Sequence, residues 1–115
     1  MVTFILVAPH VLPFSFGNEV FNMGDVLSIN CVVLKGDLPL NIQWSLDNET
    51  ITSEVNGFTV IQLNSRTSYL SVDLLEAKHR GVYRCIAKNA AGVAQYSSEL
   101  QVNGSCLLLF LYRVL

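Results

Sequence analysis

A chain of 115 residues fits a single domain with a core of its own. Its formal net charge is −2 and it holds no basic run, so it lacks the positive footprint that nucleic acid or an anionic membrane surface requires, and neither is an expected partner. Only 14% of the residues are charged while 51% are apolar, a greasier balance than the usual quarter charged, and the excess lies at the two ends.

At the first end, Phe4 to Ala8 resembles part of a signal-peptide core. No Lys or Arg precedes it, however, and a small-residue cleavage pattern is hard to place before Pro9. At the other end Cys106 to Leu111 is strongly apolar but far shorter than the roughly 20 residues a bilayer span needs. The ends read as sequence flanking a coding segment or as a truncated membrane anchor. The abrupt change of composition where the domain pattern starts and stops favours the first. The expected organisation is an apolar segment over 1–8, one domain over 9–104 and an apolar tail over 105–115.

Between the ends, short alternating runs separated by turn residues predict an all-β fold, with no stretch of helical period long enough to compete. After the Gly24-Asp25 turn, Leu27, Ile29, Cys31 and Val33 alternate with Ser28, Asn30 and Val32, a half-buried strand. Lys35-Gly36-Asp37-Leu38-Pro39 breaks that run, since the residue before a proline is pushed toward extended geometry. Ile42, Trp44 and Leu46 face inward on the next strand, which Asp47-Asn48-Glu49 ends. A strand over Phe58 to Leu63 follows but does not alternate cleanly. Leu70 and Val72 then face the core, with Tyr69, Ser71 and Asp73 facing away. Tyr83, Cys85 and Ala87 point inward on the strand after that, and Asn89-Ala90-Ala91-Gly92 turns the chain into Val93 to Val102. Seven or eight strands of this kind predict a sandwich or a barrel.

Of the three cysteines, Cys31 and Cys85 each sit in an alternating apolar run and are expected to face one core. They lie 54 positions apart, and a bridge closing a loop of that size removes about 4 kcal/mol of denatured-chain entropy in the loop-closure description. Two buried free thiols in a reducing compartment are the alternative. The bridge, and with it an oxidising extracellular compartment, is the preferred reading. Cys106 falls outside the pattern and is expected to be unpaired or outside the mature domain.

Cys31, Trp44 thirteen positions later, and Gly81-Val82-Tyr83-Arg84-Cys85 together resemble an immunoglobulin domain. The resemblance implies a two-sheet antiparallel sandwich with one inter-sheet disulfide, Trp44 packed on the bridge and Tyr83 as the corner tyrosine. Leu70 and Val72 join that core. The Gly24-Asp25 entry and the Ala87-x-Asn89-x-x-Gly92 ending are similar to the intermediate, or I-set, class. One departure is visible: the family usually has Asp where His79 stands, paired with a basic residue near Arg66. The turn before Gly81 is therefore expected to rest on backbone bonds.

A narrower resemblance covers Lys35-Gly36-Asp37-Leu38-Pro39-Leu40-Asn41-Ile42-Gln43-Trp44-Ser45-Leu46 and His79-Arg80-Gly81-Val82-Tyr83-Arg84-Cys85-Ile86-Ala87-Lys88-Asn89-Ala90-Ala91-Gly92. These runs are similar to the variable seventh immunoglobulin domain of the arthropod Down syndrome cell adhesion molecules, the Dscam family. That resemblance implies a domain encoded by one of many alternatively spliced exons, in a receptor whose identical isoforms bind each other on neurites or immune cells. An exon translated together with flanking intron would also explain the apolar ends. The family's self-binding face, carried onto this chain, implies outward residues Ser28, Asn30, Val32, Gln62, Tyr69, Ser71 and Asp73. An isologous pair of such faces feels each side-chain change twice, which suits discrimination between near-identical partners. For Val32 and Tyr69 taken singly, ordinary surface exposure is the competing reading.

Chemical motifs argue mainly by their absence from the sequence. His10 and His79 lie far apart with no carboxylate or cysteine at metal-ligand spacing. No nucleophile elbow, positioned base or phosphate-cradling glycine loop occurs. No catalysis, metal, cofactor or small-molecule substrate is therefore expected, and the domain itself is expected to make no membrane contact. Asn48-Glu49-Thr50 is an N-glycosylation acceptor pattern at a predicted turn, whereas Asn103-Gly104-Ser105 runs into the tail and is discounted. Three functions follow from different classes: isoform-specific homophilic adhesion, immune recognition of pathogen surfaces, and a structural spacer. The first is preferred, and free thiols at Cys31 and Cys85 would favour the last.

Overall fold

A computed structural model of the chain describes residues 5–17 and 20–104. In chain order the strands are β1 (His10–Val11), β2 (Phe21–Asn22), β3 (Leu27–Lys35), β4 (Asn41–Leu46), β5 (Glu49–Thr50), β6 (Phe58–Asn64), β7 (Thr67–Val72), β8 (Gly81–Asn89), β9 (Gly92–Leu100) and β10 (Val102–Asn103). One sheet has the order β1-β3-β7-β6 and the other β5-β4-β8-β9, with every pairing in both antiparallel. The expected strands are all present. The surplus over eight comes from two-residue segments, among them β2 and β10, which pair parallel to each other. The predicted run Val93 to Val102 is split at Gln101 into β9 and β10.

The alternation read along β3 and β8 becomes the core. Leu27, Cys31 and Val33 of β3, Tyr83, Cys85 and Ala87 of β8, Trp44 of β4, and Leu70 and Val72 of β7 are all buried between the sheets. Cys31 and Cys85 are bonded, with Cα atoms 6.3 Å apart. Their register partners make a second tie across the same gap. Cys31 lies opposite Ser68 on β7 and Cys85 lies opposite Trp44 on β4, and the Trp44 indole Nε1–H donates to Ser68 Oγ at 3.0 Å. The indole thereby buries its large apolar surface without stranding its one donor.

Turn chemistry closes the strands where the sequence places it. Asp47 and Asn48 both have positive φ, 49° and 71°, which a tight hairpin with mirror-image turn geometry demands and which Asp and Asn tolerate best after Gly. The Asp47 carboxylate also accepts the Val82 N–H at 2.9 Å. A Cβ at Gly81 would run into that carboxylate, so this position must stay glycine.

The turn before Gly81 differs from expectation. His79 is 1% exposed and holds it with its side chain. Nδ1 accepts the Glu76 N–H at 2.9 Å, which leaves Nε2 to carry the proton and donate to the Asn56 carbonyl at 2.7 Å. The ring also sits edge-on to Phe58, with centroids 5.2 Å apart. Arg66 is no partner for this turn. It lies in the β6–β7 turn, separated from the Asn56–Phe58 end by the length of seven-residue β6, roughly 20 Å at about 3.3 Å per residue, and its Nη2 donates to the Gly36 carbonyl instead. An Asp at position 79 would have had no Arg66 to meet. The corner tyrosine is in place: the Tyr83 hydroxyl donates to the His79 carbonyl at 2.6 Å. Burial, and after it the Asp47 carboxylate, holds the Tyr83 phenol well above its ordinary range, so it remains a donor.

At the opposite end, Asn89 uses its whole side chain. Its Oδ1 accepts the Ala91 and Gly92 N–H groups and so forms the β8–β9 turn, while Nδ2 donates to the carbonyls of Val7 and Asp37. Asp37 returns two bonds to Val7, one through each main-chain and side-chain group. Val7, expected within an apolar segment separate from the domain, is therefore fastened to it by its backbone. The expected tail over 105–115, with Cys106, lies outside the described residues. Asn89→Asp keeps both acceptor bonds and removes both donors, and is expected to cost about 1–3 kcal/mol in urea unfolding. A loss under about 0.5 kcal/mol, the scale of an idle surface change, would contradict that role.

Candidate recognition face

The outer face of β1-β3-β7-β6 is built by register. Three rows run across it: Ser28–Ser71–Thr59, Asn30–Tyr69–Ile61, and Val32–Thr67–Asn64. Each is the outward phase of strands whose other phase carries Leu27, Cys31, Leu70 and Val72 into the core. Tyr69 occupies the central strand of the middle row, and its hydroxyl accepts from Ser28 Oγ at 3.1 Å, which ties two rows together. Leu34 continues the outward phase of β3 and is exposed.

Most of the sequence-predicted face residues meet here. Ser28 and Asn30 are exposed, Val32 and Tyr69 are half-buried, and Asp73 is exposed just past the end of β7. Two assignments need correction. Gln62 lies opposite Ser68, in phase with core-facing Phe58 and Val60, and its amide donates to the Asn64 carbonyl. It is exposed at the far end of β6 but does not belong to the outward rows. Ser71 has the outward phase yet is only 6% exposed, a short side chain flanked in register by Ser28 and Thr59, so it offers a partner almost nothing.

The residues that sequence reasoning missed are Thr59 and Ile61. Ile61 is 47% exposed beside Tyr69. Phe58-Thr59-Val60-Ile61 carries apolar groups in both phases of an edge strand, so period-two alternation gives no sign of which phase faces out. The pairing of buried Phe58 with Val72 and of Val60 with buried Leu70 settles it.

The outer face of the second sheet differs in charge. Its rows are Asn41–Lys88–Val93, Gln43–Ile86–Gln95, Ser45–Arg84–Ser97 and, at the end of β8, Val82–Glu99. Arg84, Lys88 and Glu99 thus lie on it, whereas none of the nine residues in the three rows of the first face is charged. Among the described residues no group of three or more His, Cys, Asp or Glu is arranged to hold a metal ion.

A disulfide spanning two Greek-key sheets, an indole packed beside it and a corner tyrosine two residues before the second cysteine form the immunoglobulin core. The model of the immunoglobulin domain matches residues 9–89. The chain belongs to the immunoglobulin family. This immunoglobulin domain is 58% identical over 99 residues to the cell adhesion molecule Dscam1 of Drosophila melanogaster, an alignment that covers 86% of the chain and 5% of that protein. To the cell adhesion molecule DSCAM of Homo sapiens it is 37% identical over 98 residues, covering 85% of the chain and 5% of that protein. The crystal structure of the Dscam1 Ig7 domain, isoform 9, superposes with a TM-score of 0.81 at 58% identity, covering 84% of this chain and 100% of that domain. The immunoglobulin domain is therefore Dscam-like in sequence and in fold, and the chain spans 5% of the length of these curated relatives.

Proposed function

We propose that this immunoglobulin domain binds a second copy of itself through the outer face of β1-β3-β7-β6, as an isoform-specific adhesive unit in the extracellular part of a cell-surface receptor. The observation that carries the reading is the uncharged centre of that face. In a two-fold contact each residue near the axis meets its own kind, so any charge there would face the same sign while losing its water. Rows of Ser, Thr, Asn, Val, Ile and Tyr avoid that cost, and a Tyr with an apolar neighbour supplies the anchor that interface centres favour. The second sheet, with Arg84, Lys88 and Glu99 on its outside, is poorly suited to the same use. The cross-sheet disulfide supports an oxidising compartment, and the relatives are named as cell adhesion molecules.

Discrimination between isoforms is a difference of affinities, and the isologous geometry doubles every side-chain difference. Beads coated with the chain are expected to aggregate with one another and to sort away from beads coated with related seventh-domain variants that differ at positions 30, 61 or 69. Indiscriminate co-aggregation with every variant would defeat isoform specificity, and no aggregation at all would defeat self-binding.

A further inference from the structure

We infer that Asn48 is an N-glycosylation acceptor whose glycan stands over the outer face of β4, β8 and β9, on the side of the sandwich away from the proposed self-binding face. Asn48-Glu49-Thr50 carries the acceptor triplet, and Ile51 rather than proline follows it. The triplet forms the β4–β5 turn and the start of β5, and Asn48, Glu49 and Thr50 are all exposed.

The second observation is how the Asn48 amide is held. Oδ1 accepts from Arg84 Nη1 at 2.7 Å, while Nδ2 has no hydrogen-bond partner among the described residues. Glycosylation uses that division of labour. Nδ2 forms a bond to the anomeric carbon of a lipid-pyrophosphate oligosaccharide, the carbon–oxygen bond to the pyrophosphate breaks, the lipid pyrophosphate leaves, and one amide proton is released. Oδ1 is untouched, so the bond to Arg84 survives in the folded glycoprotein. Arg84 alternates with buried Tyr83 and Cys85 and lies between Ser45 and Ser97 in register, so the anchored amide sits at the margin of the charged outer face. The glycan covers a surface that already carries Arg84, Lys88 and Glu99 and needs hydration, and it leaves Asn30, Tyr69 and Ile61 bare. Occupancy of Asn48 rests on export of the chain; the division of labour between the two faces rests on the proposed self-binding.

The test secretes the full chain from insect cells behind a cleavable leader and maps the Asn48 peptide by mass spectrometry before and after a peptide N-glycosidase, an amidase that releases the whole glycan and converts the modified Asn to Asp. The expected result is a glycan on Asn48, released by the enzyme and lost in Thr50→Ala. Because Asn48 has positive φ, Asn48→Gln strains the turn, and Thr50→Ala is the variant that leaves the turn residue in place. A secreted, disulfide-bonded chain with bare Asn48 overturns the inference. Bead aggregation is expected to be the same before and after enzyme treatment. A rise of tenfold or more on removing the glycan overturns its placement away from the binding face, whereas failure of both forms to aggregate overturns the self-binding reading and leaves occupancy of Asn48 intact.

Discussion

Trp44→Ala is expected to lower the unfolding free energy by about 3–5 kcal/mol, a large share of the roughly 5–15 kcal/mol that holds an ordinary domain together. The indole fills the space beside the Cys31–Cys85 bridge and touches Phe14, with ring centroids 5.6 Å apart. Truncation leaves a cavity that two disulfide-linked sheets have little freedom to close, and it strands Ser68 Oγ in the interior. Trp44→Phe separates the two parts, because it restores most of the apolar volume but not the bond to Ser68, and should recover more than half of the loss. Urea unfolding followed by far-ultraviolet circular dichroism measures both, since the chain holds a single Trp and fluorescence is lost with it. A loss below about 1 kcal/mol for the alanine variant would mean that the indole is not a core element.

Tyr69→Asp is expected to weaken self-association by about two orders of magnitude or more while the domain stays folded, with a stability cost of about 1 kcal/mol from the lost Ser28–Tyr69 bond and the packing around it. Tyr69 is the aromatic group at the centre of the uncharged rows, and truncating such an anchor costs about 2–4 kcal/mol. The substitution also places a carboxylate where a two-fold contact brings a second one near it, so the penalty is felt from both sides. Its outward phase on β7 keeps the new charge out of the core. Gln95→Asp, on the outer face of the second sheet, is the matched control and should change association less than about threefold. Sedimentation equilibrium over a concentration series measures all three proteins. Equal weakening by Tyr69→Asp and Gln95→Asp would contradict the assignment of the face.

How far the sequence carries depends on how local each interaction is. Leu27, Cys31 and Val33, and Tyr83, Cys85 and Ala87, alternate cleanly because their strands lie in sheets buried on one side, so period two maps onto burial. The same rule fails on β6. There both phases are apolar, and a bulge between Gln62 and Asn64 breaks the register at the point where Gln62 was assigned. Ser71 shows another limit: phase fixes the direction of a side chain, whereas exposure depends on its neighbours' size. His79 and Asn89 show a third. Beside their local N–H partners, each donates to main-chain carbonyls distant in sequence, Asn56 for one and Val7 with Asp37 for the other, and a carbonyl carries no residue-type signal. The Asp47-Asn48 turn, by contrast, is legible because two residues that tolerate positive φ stand next to each other at the end of an alternating run.

The most direct test of the self-binding face is a dilution series of the isotope-labelled chain followed by nuclear magnetic resonance. As concentration rises through the association range, signals from Asn30, Ile61 and Tyr69 should shift together along a single binding curve while those of Gln43, Ile86 and Gln95 stay fixed. Movement confined to Gln43, Ile86 and Gln95, with Asn30, Ile61 and Tyr69 unmoved, would place the contact on the other sheet.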